Sequence, residues 1–202
     1  MKNHLSKLSP MLGILVYLAT TCSSPASVVI NAQPVGDDVV FTGSGTLNLA
    51  GLTLAGTGGI ALAGFRDDLF PPILRMRPSS GLTTYVGPTL VAPAGFSDLE
   101  GIFAQPTFSS GQVFGAEYWF SAPGISVPDG YSSGQFLSAS MTYSHQSFNS
   151  LQLNPGTYVW HWGSGVNADS MSLNIVPEPS SAFIIGMGSM VLTVLRYTKR
   201  RR

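Results

Sequence analysis

Between Ser27 and Val176 the chain changes polarity at every second residue in a series of short runs. These are residues 39–42 (VVFT), 46–50 (TLNLA), 113–121 (VFGAEYWFS), 136–143 (FLSASMTY), 157–162 (TYVWHW) and 170–175 (SMSLNI). Side chains of a strand point alternately to the two faces of a sheet, so a period of two predicts half-buried strands. Turn formers separate the runs, and 20 Gly and 10 Pro spread over these 150 residues interrupt every helix-length window. The expected fold is all-β: an antiparallel, jelly-roll-like β-sandwich with one buried and one wet face per sheet. In residues 157–162 the alternation assigns Tyr158, Trp160 and Trp162 to the core and His161 to solvent. In residues 170–175 it sends Met171, Leu173 and Ile175 inward. Asn154-Pro155-Gly156-Thr157 suits a type II turn, with Pro and Gly at its central positions. Residues 66–80 (RDDLFPPILRMRPSS) read as a long loop over one end of the sandwich or as an irregular edge. Residues 45–59 (GTLNLAGLTLAGTGG) read as two short strands around Gly51.

The flanks read differently. Residues 1–26 have a basic start, the apolar run 11–20 (MLGILVYLAT) and small residues up to Ala26, the layout of a secretory signal peptide cut after Ala26. Ten apolar residues rise only about 15 Å as a helix, roughly half a bilayer, which argues against an uncleaved anchor. Acylation of Cys22 is the lipoprotein alternative, but Ala19-Thr20-Thr21 is a poor context for it. Cleavage after Ala26 leaves an exported part without cysteine, so a hydrophobic core has to stabilise it. Residues 176–181 (VPEPSS) lead into the apolar run 182–195 and then Arg196, Lys199, Arg200, Arg201 and Arg202. The 18 residues 180–197 would make a helix of about 27 Å, just enough for a transmembrane helix, with the basic cluster on the cytoplasmic side.

That order of rigid Pro-x-Pro motif, short apolar helix and basic cluster resembles the PEP-CTERM sorting signal of Gram-negative bacteria, with Val176, Pro177, Glu178 and Pro179 as the sorting motif. Residues 151–175 resemble the strand pair that often precedes this signal, as do residues 43–49 further upstream. The resemblance implies an exosortase, an integral membrane transpeptidase, as partner. It also implies transit through the inner membrane as an anchored precursor, and a destination at the cell surface or outside it in a bacterium that makes exopolysaccharide. The expected organisation is a signal peptide at 1–26, an exported ectodomain at 27–176 and the sorting signal at 177–202.

Charge narrows the candidate chemistry. The chain carries 10 Lys+Arg and 10 Asp+Glu, but most of the cations lie in the flanks. Residues 27–176 hold three Arg against nine acids, a net charge of −6 that speaks against a nucleic-acid partner. Gly130-Tyr131-Ser132-Ser133-Gly134 matches the G-x-S-x-G pattern of hydrolases, yet no acid lies between Ser132 and His145 or His161, so a hairpin turn explains it better. Gly163-Ser164-Gly165-Val166-Asn167-Ala168 fits a dinucleotide pattern without the helix that pattern needs, and also reads as a turn. His145 and His161 have no zinc-like spacing. Asp37-Asp38, Asp67-Asp68, Asp98-Leu99-Glu100 and Asp169 read as solvated turn carboxylates, with loop Ca²⁺ binding as the alternative. Asp98 and Glu100, two apart, are the pair a glycosidase would use. Trp119 and Tyr131 are the candidates for an exposed aromatic platform that binds carbohydrate. The expectation is an exported surface or matrix-associated structural protein, not an enzyme and without a cofactor. A carbohydrate-binding module is the alternative, and a glycosidase comes third.

Overall fold

A computed structural model describes residues 27–58, 63–66, 73–78, 81–93, 104–119 and 122–176. Among the described residues twelve strands make two six-stranded sheets: β1 (Ser27–Val35), β2 (Asp38–Thr46), β3 (Thr53–Thr57), β4 (Gly64–Arg66), β5 (Ile73–Arg75), β6 (Leu82–Val86), β7 (Phe108–Gly111), β8 (Gly115–Trp119), β9 (Ala122–Pro128), β10 (Phe136–Tyr143), β11 (Gly156–Trp162) and β12 (Asp169–Ile175). The first sheet has the order β11-β12-β1-β2-β10-β7 and the second β3-β6-β9-β8-β5-β4. The only helical element among the described residues is a single 3₁₀ turn at Gly165–Asn167.

Alternation explains the first sheet strand by strand. Leu137, Ala139, Met141 and Tyr143 of β10 are buried, as are Met171, Leu173 and Ile175 of β12 and Trp160 and Trp162 of β11. Tyr158 is only partly covered, because it sits where β11 starts. Val28, Ile30 and Ala32 of β1 and Val39 and Phe41 of β2 complete this face, with Phe41 edge-on to Tyr143 at 5.7 Å between ring centres. Gly43 takes the next inward place in β2, where a Cβ would lie 3.0 Å from both Ile30 Cγ1 and Phe114 Cζ. Leu74, Ala116, Ile125 and Val127 of the second sheet join the same core, so the two sheets share one apolar interior.

Three expectations need correction. The strand expected at residues 46–50 is absent: β2 runs on to Thr46, and Leu47 to Leu49 leave the ladder with both leucine side chains buried. Their backbone N–H groups bond to side chains instead, which lets a coil carry a strand-like pattern. The sheet is not wholly antiparallel, since β1 and β12 pair in parallel from Ser27↔Ser170 to Ala32↔Ile175. The turn at Asn154–Thr157 is not type II, because Gly156, at φ 159°, already forms the first rung of β11 opposite Ile175. The reversal comes earlier, where Gln152 takes a left-handed φ of 53°. For residues 66–80 the second of the two readings, an irregular edge, is the one that fits: β5 pairs with β4 and β8, and β4 is the edge of the second sheet.

Candidate functional site

The outer face of the first sheet is a polar surface that crosses all six strands. Strand register lines up Thr157, Asn174, Asn31, Thr42, Ser140 and Ser110 in one row across all six strands. A second row runs Val159, Ser172, Val29, Ser44 and Ser138. Neighbours in the first row brace one another: Thr157 Oγ1 donates to Asn174 Oδ1 at 3.0 Å, Asn174 Nδ2 to Asn31 Oδ1 at 3.1 Å, and the Ser110 and Ser140 hydroxyls lie 2.9 Å apart. Short side chains on β1, β2, β10 and β7 leave a shallow depression of about 300 Å³ lined by Asn31, Ser44, Ser110, Ser138 and Ser140.

Two aromatic rings flank this depression. Phe136 opens β10 and is 64% exposed; Phe108, opposite Thr142 on β7, is 63% exposed. By alternation both stand on the same face as Ser138 and Ser140, about 20 Å apart at the rise of an extended chain. Neither row contains an ionisable side chain. The charges nearest to it lie at the margins: Asp38 at the β1–β2 turn, whose Oδ1 accepts the His145 N–H at 3.0 Å, His161 on the edge strand β11, and Arg77, whose guanidinium donates to the Gly111 carbonyl.

The aromatic platform expected at Trp119 and Tyr131 is not what the structure has. Tyr131 is buried: its hydroxyl accepts the Leu47 N–H at 2.8 Å and reaches the carbonyls of Leu47 and Gln135. Burial pushes its phenol pKa up. Trp119 is half-buried, with its benzo ring where a Cβ on Gly56 would stand, 2.9 Å from Cζ2. Ser132 lies exposed in the loop from β9 to β10, where its N–H bonds to Gln135 Oε1, and residues 163–168 connect β11 to β12; both are turns, as the pattern suggested.

Asp169 is the other correction, since it is a buried group, 4% exposed, and not a solvated turn carboxylate. It accepts the N–H groups of Asn48 and Ser170 and so fixes the coil after β2, together with Tyr131, with Ser133, whose Oγ accepts the Leu49 N–H, and with Trp162, which donates to the Asn48 carbonyl. Loss of hydration raises its pKa to about 6, against the opposing pull of those two N–H donors.

A polar group that the sequence reading missed lies in the second sheet. Glu117 accepts from Arg75, Ser126 and Thr84, the last at 2.5 Å, and all four side chains are buried. Register puts Thr84, Ser126, Gly115 and Arg75 in one row, with Glu117 two residues beyond Gly115, on the side opposite Ala116 and Ile125. Gly115 is required there, because a Cβ would fall 1.9 Å from the Leu74 carbonyl oxygen. With its acceptors filled from within the chain, this cluster is structural.

Val176 is exposed, and its N–H donates to the Ala32 carbonyl at 2.9 Å. Pro177, Glu178 and Pro179 lie outside the described residues, as do residues 1–26 and 180–197, Asp67 and Asp68, and the Asp98 and Glu100 pair. Among the described residues no helix is long and apolar enough to cross a membrane, and no three His, Cys, Asp or Glu converge as a metal site. Comparison with known proteins finds no matching family model, no matching curated protein and no matching solved structure.

Proposed function

We propose that this chain is an exported surface or extracellular-matrix-associated structural protein, built on a jelly-roll-like β-sandwich and sorted by an exosortase, rather than an enzyme. The observation that carries the reading is the succession of Pro-Glu-Pro motif, apolar run and basic cluster in residues 177–202, soon after β12, an interior strand of the first sheet. The exposure of Val176 supports it, since a processing enzyme needs an extended, reachable segment next to its motif. Proline fixes φ and removes N–H donors, which keeps such a segment extended. Intact mass of the protein from membrane and culture fractions of its host tests the reading. A mature product lacking residues 182–195 is expected, with full-length chain held in the inner membrane for Glu178→Ala. A mature wild-type product that retains residues 182–195 would make the segment a permanent anchor and end the sorting proposal. A second reading, a carbohydrate-binding module, is favoured by the uncharged hydroxyl and amide rows of the first sheet.

A further inference from the structure

We propose that the outer face of the first sheet binds a neutral polysaccharide strand laid along β10, with Phe136 and Phe108 as the two stacking platforms and Ser138, Ser140 and Ser44 as hydrogen-bond partners between them. The proposal rests on the binding-module reading and assigns it a site and a class of ligand.

The chemistry of the face selects the ligand. Residues 27–176 carry nine acids and three arginines, yet the two central rows contain none of them. An anionic polymer would find no cation along the floor; the Arg77 guanidinium at the margin is already engaged with the Gly111 carbonyl, and the domain as a whole carries a net negative charge. A protein partner would need a broad desolvated apolar centre, whereas here the depression is lined mainly by short hydroxyl and amide side chains, with Val29 the one large apolar side chain among them, and the two exposed rings stand beyond its ends. A neutral sugar chain fits both features. Its hydroxyls exchange hydrogen bonds with serine and asparagine side chains, and the C–H face of a pyranose ring lies flat on an aromatic face. The roughly 20 Å between Phe136 and Phe108 suits a polymer of several sugar units rather than a monosaccharide. The hydrogen bonds between Thr157, Asn174 and Asn31, and between Ser110 and Ser140, fix the side chains before a ligand arrives, which lowers the entropy lost on binding.

The test is calorimetric titration of the full chain, kept in a detergent without sugar headgroups, with dextran, galactomannan, a soluble β-glucan and alginate. Binding to at least one neutral polymer and none to alginate is expected. Phe136→Ala and Phe108→Ala should each weaken it about five- to tenfold, Ser138→Glu should abolish it, and Phe136→Trp should retain it. All three positions are on the surface, and unchanged melting temperatures confirm that the four variants fold. Neutral binding that all four variants leave intact keeps the module reading and overturns this site. Binding to alginate alone overturns the choice of ligand. No binding to any polymer overturns both, and if sedimentation then shows a dimer that the Phe→Ala variants dissolve, the face belongs to a second copy of the chain. None of these results bears on sorting, which is read by mass in the host.

Discussion

The two sheets place polar rows across their strands to opposite ends. In the first sheet, Thr157, Asn174, Asn31, Thr42, Ser140 and Ser110 face outward, and half-satisfied side chains cost little because water completes their bonding. In the second, Thr84, Ser126 and Arg75 converge on Glu117 away from solvent, where every charge must be met inside the protein. The same period-two pattern therefore produces a surface open to ligands in one layer and a closed network in the other. What separates them is one arginine–glutamate pair and the burial that goes with it.

The comparison breaks most sharply at Glu117. Glu117→Ala strands a buried guanidinium and should cost about 3–5 kcal/mol, read as a fall in the denaturant midpoint, and Arg75→Met with Glu117→Leu should recover part of that loss. Trp160→Ala empties the core beneath the first sheet and should cost a similar 3–5 kcal/mol, whereas its outward neighbour in His161→Ala should cost little; equal small shifts would mean that β11 is inside out. Asp169 gives a pH signature. Its folded pKa, about 6, lies above the ordinary 3.8, so the folded state holds its proton more tightly, and the resulting stability is full below pH 4 and lost as pH rises through 6. The expected loss is about 3 kcal/mol between pH 4 and 7, measured as the difference between wild type and Asp169→Asn across a series of urea titrations. The smallest effect belongs to the outer rows: Thr42→Ala or Ser44→Ala should stay within about 0.5 kcal/mol, and a larger change would mean that this face is structural like its counterpart.

The sequence made some of this legible and hid the rest for physical reasons. β10, β11 and β12 are readable because each has one wet and one dry face, and their inward residues follow the alternation, with Tyr158 only partly covered. β1, β6, β7 and β9 escaped, whereas the second of the two short strands read around Gly51 is β3. In β6 and β9 the residues Thr83, Thr84, Ser126 and Val127 are all buried, so no polarity contrast marks a face. Leu47 to Leu49 misled because bonding from Tyr131, Asp169 and Ser133 imitates a ladder. The outer face was half visible: Phe136, Ser138, Ser140 and Thr142 alternate plainly, but their alignment with Asn31 and Asn174 depends on non-local register. With the β11 aromatics assigned to the core, Trp119 and Tyr131 were the remaining candidates, whereas the exposed rings are Phe136 and Phe108. The lone Glu117 between small and aromatic residues was the available sign of the second network.

The parallel pairing of β1 with β12 sets how the molecule bears load. With the two strands in register, the chain enters the sheet beside Ser170 and leaves beside Ala32, at opposite ends of the same pair. Tension applied between those points pulls the neighbours past each other lengthwise, so the rungs from Ser27↔Ser170 to Ala32↔Ile175 are strained together and must rupture together. Antiparallel neighbours joined by a hairpin would instead peel apart one rung at a time under the same tension. A domain tethered through the segment after Val176 and tugged from its other end thus meets the force in shear, the direction in which a sheet is strongest.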